Sequence, residues 1–82
     1  FKIVKDKINI KKMNYDQIAD KLKIIFSDAN FNNEDGLKFF WEDQWLHLRK
    51  SNTEPIIRIY AEAPKQKQAE EMIAIVHNSI GN

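Results

Sequence analysis

The sequence predicts an α+β domain: a four-stranded, mostly antiparallel sheet with two helices packed on one face, in the order β-α-β-β-β-α. Three observations carry that expectation. Apolar residues alternate along four short segments, recur at helical spacing along two longer ones, and are separated by turn and cap residues. With 82 residues there is room for one hydrophobic core, so all six elements must share it.

Residues 1–6 read as the first strand, opening Phe1-Lys2-Ile3-Val4, and Ile8 and Ile10 keep the period of two beyond it. The chain begins on Phe1 rather than Met, inside this apolar-rich stretch, whereas natural ends are usually polar and frayed. The expectation is a domain excised from a longer polypeptide. Asn14 then reads as a helix N-cap, with Gln17 at the capping-box position. Behind it Ile18, Leu22, Ile25 and Phe26 fall on one helical face. Residues 27–36 are polar and end in Asp35-Gly36, a turn signal. Two strands follow, over residues 37–42 and 45–49, around Asp43-Gln44. A further strand over residues 55–62 is marked by Ile56-Ile57-Arg58-Ile59-Tyr60. The last element is a helix over residues 65–79, with Ala69, Met72, Ile73, Val76 and Ile80 along one stripe and Gly81 in the place of a C-terminal cap.

Taking Asp43-Gln44 as a two-residue hairpin turn sets Trp41 opposite Leu46, Phe40 opposite His47, Phe39 opposite Leu48 and Lys38 opposite Arg49. One sheet face then collects Leu37, Phe39, Trp41, Leu46 and Leu48, joined by Ile57 and Ile59. The other collects Lys38, Phe40, Trp45, His47 and Arg49, joined by Arg58 and Tyr60. Two amphipathic helices cover the first face and leave the second open, an arrangement of the TATA-box-binding-protein-like kind. On this register Trp41 belongs to the core and Trp45 does not.

Composition narrows the function classes. At 43% hydrophobic and 30% charged residues this is an ordinary folded chain. Its net charge of +1 supplies no global field to attract nucleic acid or an anionic membrane, so any anion specificity must be local. Cysteine is absent, which removes disulfide, thiol and zinc-thiolate chemistry and fits a reducing, cytoplasmic setting. No apolar run approaches the length of a membrane span.

The densest cluster of anion-binding groups is Arg49-Lys50-Ser51-Asn52-Thr53-Glu54-Pro55-Ile56-Ile57-Arg58. Two guanidiniums, suited to forked contact with phosphate oxygens, bracket the hydroxyls of Ser51 and Thr53. Asn tolerates a left-handed backbone, so Asn52 offers a means of turning consecutive N–H groups inward as an anion nest. Pro55 has no N–H to lose and fixes the exit into the next strand. A surface hairpin loop with routine charged flanks is the plain alternative.

The pattern Arg49-x-Ser-Asn-Thr-Glu-Pro-x-x-Arg58 closely resembles the phosphate-binding signature in the C-terminal domain of the α-D-phosphohexomutases: phosphoglucomutase, phosphomannomutase and phosphoglucosamine mutase. The wider stretch from Asp35-Gly36-Leu37 to Glu62-Ala63 is similar as well, as is the helix beginning near Lys65. Asn52 stands where the family commonly has glycine, Lys50 where it has proline, and Gln44 where it has the hairpin glycine. The resemblance implies that residues 1–82 are the last domain of a four-domain enzyme. In such an enzyme a phosphoserine of the first domain phosphorylates a bound hexose phosphate. The bisphosphate turns around and its other phosphate returns to the serine, so that phosphate moves between the 1- and 6-positions. A magnesium ion on an aspartate-rich loop of another domain assists. The last domain grips the phosphate that is not reacting, and by this resemblance Arg49, Ser51, Asn52, Thr53 and Arg58 are the contacts. The catalytic serine, the metal loop and the sugar-reading loop are absent here, so the implied partners of this chain are a hexose phosphate and the other domains.

Other signals weigh less. Asp28-Ala29-Asn30-Phe31-Asn32 imitates the start of a calcium loop, but Asn33 stands where glycine is needed and Phe39 where the final glutamate is needed. His47 and His77 lack the company a metal site requires; His47 shares the open face with Arg49 and reads as surface packing. Ser51 has no ordered base–acid pair to make it a nucleophile. Glu54 reads as an acceptor that fixes the loop. Lys65, Lys67, Glu70 and Glu71 form a solvated helix face. Phe40, Trp45 and Tyr60 on the open face leave two other readings: a stacking platform for single-stranded nucleic acid, against the near-zero charge, and a docking surface for another domain or subunit.

Overall fold

The computed structural model describes residues 1–10 and 14–80. In chain order its elements are β1 (Lys2–Asn9), α1 (Tyr15–Ile25), β2 (Asn30–Asn32), β3 (Leu37–Phe40), β4 (Trp45–Lys50), β5 (Ile56–Ala63) and α2 (Gln66–Ser79). The cap expected at Gly81 lies outside the described residues.

The strands form one sheet in the order β1-β5-β4-β3-β2, and every neighbouring pair is antiparallel. The sheet thus has one strand more than expected. That strand, β2, is the polar segment Asn30–Asn32, which pairs Phe31 with Phe39 at the sheet edge. Its ring sits 6.1 Å from that of Phe39, with the Lys23 ammonium 5.0 Å from its centroid. A lysine over an edge strand discourages pairing with a further chain.

The α1 start follows the capping box. The Asn14 side chain accepts the Gln17 N–H at 2.8 Å, and the Gln17 side chain accepts the Asn14 N–H at 3.1 Å. At the start of α2 the Gln68 side chain accepts the Lys65 N–H. Ile18, Ala19 and Leu22 of α1 and Ala69, Met72, Ile73 and Val76 of α2 are buried. They pack with Leu37, Phe39, Leu46, Leu48, Ile57 and Ile59 from one sheet face into a single core. Ile25, expected on the inner face of α1, is 42% exposed, while its neighbour Phe26 is buried. No helix among the described residues is long and apolar enough to cross a membrane.

The β3–β4 hairpin departs from the expected register. Phe39 faces Leu46 and Phe40 faces Trp45, so the connection runs from Trp41 to Gln44, closed by the Trp41 N–H donating to the Gln44 carbonyl at 2.8 Å. A two-residue turn of the hairpin-favouring kind needs positive φ, and among the described residues Gly36 alone has it. Because the register moves by an even number of residues, each side chain keeps its expected face. Trp41, however, leaves the strand. It is half-buried rather than a core residue, edge-on to Phe26 at 5.5 Å, with its indole N–H donating to the Asp28 carboxylate.

Candidate phosphate-binding site

The open sheet face is built by alternation. In β4 and β5 the residues that alternate with Leu46, Leu48, Ile57 and Ile59 point away from the helices, and these are Trp45, His47, Arg49, Arg58 and Tyr60. Arg49 and Arg58 are direct partners across the β4–β5 ladder. Their Cβ atoms therefore stand roughly 5 Å apart, a spacing at which like charges repel unless an anion lies between them. On the other side of Arg58 its partner is Lys7 of β1. Three cationic residues thus form one row across three strands, all exposed.

Beyond that row the chain turns back through residues 51–55. The Ser51 N–H donates to the Ile56 carbonyl at 3.1 Å, which makes this the next rung towards the loop and sets Ser51 on the same face as Arg49. Ser51 Oγ accepts the N–H groups of Thr53 and Glu54, both at 3.3 Å, and lies 3.4 Å from Thr53 Oγ1. The side chain of Ser51, not a left-handed residue, therefore turns the chain. Asn52 has no positive φ, so the expected nest built on a left-handed Asn52 is not what forms; Asn52 is exposed at the tip. Glu54 holds the loop through its backbone, with its N–H on Ser51 Oγ and its carbonyl accepting the Ile56 N–H at 2.8 Å. The Pro55 carbonyl accepts the Ile10 N–H at 2.8 Å, which ties the loop to the end of β1.

The structure thus brings Arg49, Arg58 and Ser51 to one face at one end of the sheet, with Thr53 at hydroxyl–hydroxyl distance from Ser51. It also adds a residue that the sequence marks as part of a turn and of the family-like stretch, but not as a site residue. The Asp35 carboxylate lies 3.5 Å from the Arg49 guanidinium, and both side chains are largely exposed. The Asp35 carbonyl accepts from His47 Nε2 at 2.6 Å. Gly36 makes this geometry possible: at φ 76° a Cβ there would collide with the Leu48 carbonyl oxygen and crowd Arg49 and His47.

The other end of the open face carries aromatic side chains among charged and polar ones. Trp45 is half-buried, with the Lys38 ammonium 4.9 Å from its centroid and its indole N–H donating to Glu62 at 2.7 Å. Tyr60 lies 6.2 Å from His47, ring to ring. Phe40, Trp45, Trp41 and Phe1 line a shallow cavity of about 520 Å³ here. Among the described residues no three His, Asp or Glu side chains converge on one point. His77 is on the helix side, where its Nε2 donates to Asp6 at 2.7 Å.

Comparison with known proteins agrees with this architecture. The family described as "Phosphoglucomutase/phosphomannomutase, C-terminal domain" matches residues 3–79. A phosphomannomutase of Methanocaldococcus jannaschii is 33% identical over 73 residues, covering 89% of this chain and 16% of that protein. A phosphoglucosamine/phosphogalactosamine mutase of Sulfurisphaera tokodaii is 35% identical over 74 residues, covering 87% of this chain and again 16% of the relative. A phosphoglucomutase/phosphomannomutase of Thermococcus kodakarensis is 44% identical over 41 residues, half of this chain and 9% of that protein. The chain therefore spans about a sixth of the length of the first two relatives. With nearly its whole length matched and its sheet, helices and arginine-flanked loop in place, the chain belongs to the phosphoglucomutase/phosphomannomutase C-terminal-domain family.

Proposed function

We propose that residues 49–58 seat the phosphate group of a hexose phosphate, and that residues 1–82 serve as the C-terminal, phosphate-gripping domain of a four-domain phosphohexomutase in the cytoplasm. The observation that carries this reading is the direct cross-strand pairing of Arg49 with Arg58 on the uncovered face, one same-face step from Ser51. An anion seated over that pair would accept from both guanidinium forks, which would turn their mutual repulsion into shared attraction. Ser51 Oγ already accepts two backbone N–H groups, so its own proton, which can otherwise go to Thr53 Oγ1, would be given to a phosphate oxygen. Thr53 and Asn52 at the loop tip supply further donors.

In this role the chain binds and orients; it does not react. Phosphoryl transfer would run between a serine elsewhere in the parent protein and the free hydroxyl of the sugar. Reorientation of the bisphosphate would follow, then return of the second phosphoryl to the serine. The magnesium ion that the family uses would lend electrostatic stabilisation from another domain. What residues 49–58 contribute is a fixed grip on the idle phosphate in either orientation of the sugar, because a phosphate presents the same oxygens whichever carbon bears it. The chain by itself is expected to be inactive as a mutase.

An NMR titration of the labelled chain tests the reading. Glucose 6-phosphate at millimolar concentration is expected to shift the amides of Ser51, Asn52 and Thr53, a dissociation constant of about 1 mM corresponding to about −4 kcal/mol; glucose is expected to leave them unmoved. Loop amides that stay still, while an RNA oligonucleotide shifts Phe40 and Tyr60, would replace this reading with the stacking platform.

A further inference from the structure

We propose that Lys7 of β1 is a third cation of the phosphate seat, which makes the seat span three strands and not only the β4–β5 loop. The inference rests on the phosphate reading above and adds to it a residue that lies far from the loop in sequence. Lys7 is the direct partner of Arg58, as Arg58 is of Arg49. Its face is fixed by its neighbours. Ile8 is in the core and Asp6 bonds His77 of α2, so the residue between them projects from the opposite side, beside the two arginines.

Charge arrangement points the same way. Three cationic side chains rooted in one cross-strand row, their Cβ atoms roughly 5 Å from one to the next, disfavour the sheet unless an anion offsets them. Among the described residues the row meets one carboxylate, Asp35, and that lies at the Arg49 end. The tie between the Pro55 carbonyl and the Ile10 N–H holds the β1 end and the loop together, so the row and the loop donors keep a common frame. Because Lys7 is rooted next to Arg58 in the row, its flexible ammonium can come within about 6 Å of a phosphate held between the arginines. At that range one unit charge acting on a dianion in water is worth about tenfold in affinity, reduced to about threefold by physiological salt. Lysine acts here as a mobile point charge, whereas the arginines supply direction.

The test measures glucose 6-phosphate and inorganic phosphate affinity for the chain and four variants by the same titration. Lys7→Ala is expected to weaken both ligands about three- to tenfold and to lessen the salt dependence, with Lys7→Glu weaker still and Lys7→Arg within about twofold of the original. Lys5→Ala is the control for bulk charge: Lys5 shares the face but pairs with Tyr60, one same-face step further from the loop, and is expected to change affinity less. Unchanged binding in Lys7→Ala, or an equal loss in Lys5→Ala, overturns the assignment while the loop reading stands. Absence of binding by the unaltered chain overturns both.

Discussion

Replacing Gly36 by alanine tests how the turn before β3 shapes the site. Gly36 has φ 76°, and a Cβ at this position would run into the Leu48 carbonyl oxygen while standing 3.2 Å from Arg49 Cγ and 3.3 Å from His47 Nε2. An alanine in the left-handed region costs about 1–2 kcal/mol. The collision adds about 1–3 kcal/mol, because Leu48 pairs with Leu37 and its carbonyl cannot retreat without disturbing the β3–β4 ladder. The sum, about 2–5 kcal/mol, is a large share of the roughly 4–12 kcal/mol expected for a chain of this length. Urea unfolding followed by circular dichroism reads it directly. With a slope of about 1 kcal/mol per molar, the midpoint is expected to fall by about 2 M or more. The Asp35 contacts to Arg49 and His47 are expected to loosen with it, visible as altered side-chain signals of both residues. A Gly36→Ala chain within about 0.5 kcal/mol of the original would show that the turn rearranges freely and that Gly36 is not what sets Asp35 beside Arg49.

The Asp35 carboxylate competes with phosphate for Arg49, so Asp35→Asn is expected to raise phosphosugar affinity about 1.5- to fivefold by calorimetry, the range set by an exposed ion pair, without loss of stability; weaker binding would contradict this. The Asp6 carboxyl is held below the usual aspartate value of 3.8, chiefly by the hydrogen bond from His77, against a smaller opposing effect of burial. Its folded pKa being the lower one, the stability it contributes is present above about pH 4 and lost as pH falls through the folded value. Asp6→Asn is expected to flatten that acid limb in urea titrations, and an unchanged limb would refute the role. A fully buried tryptophan costs about 3–5 kcal/mol to truncate. Half-buried Trp41, packed on Phe26 of the core, is expected to cost about 2–3 kcal/mol as alanine, and Trp45 on the uncovered face clearly less; the reverse order in unfolding experiments would contradict the observed hairpin.

Alternation made the faces of the sheet legible before its pairing was known. Arg49, Arg58, His47 and Tyr60 fall on the open side under either register, because a shift by an even number of residues preserves the face. What alternation cannot supply is the turn. Gln44 offers no left-handed residue, the connection lengthens to Trp41–Gln44, and Trp41 is drawn out of the strand. Strand β2 was hidden for a related reason: Asn30-Phe31-Asn32 is too short and polar to show a period, and it forms because β3 offers an open edge. At the site, the arginines and hydroxyls were readable as residue types at loop spacing. Asp35 beside Arg49 was not, since that contact is made by the β3–β4 hairpin and the Gly36 turn together. The N–H groups expected to turn about a left-handed Asn52 are gathered by Ser51 Oγ, which needs no unusual backbone.

The central claim is that the arginine pair, with its loop, holds phosphate, and Arg49 is where it is most exposed to contradiction. The decisive measurement is the glucose 6-phosphate titration of the labelled Arg49→Ala and Arg49→Lys chains beside the original. Arg49→Ala is expected to abolish the shifts at Ser51, Asn52 and Thr53, and Arg49→Lys to restore them only in part, because an ammonium cannot reproduce the fork. Added salt is expected to weaken what binding remains. Full, unaltered loop shifts in Arg49→Ala would show that phosphate is held without the arginine pair and would contradict the account.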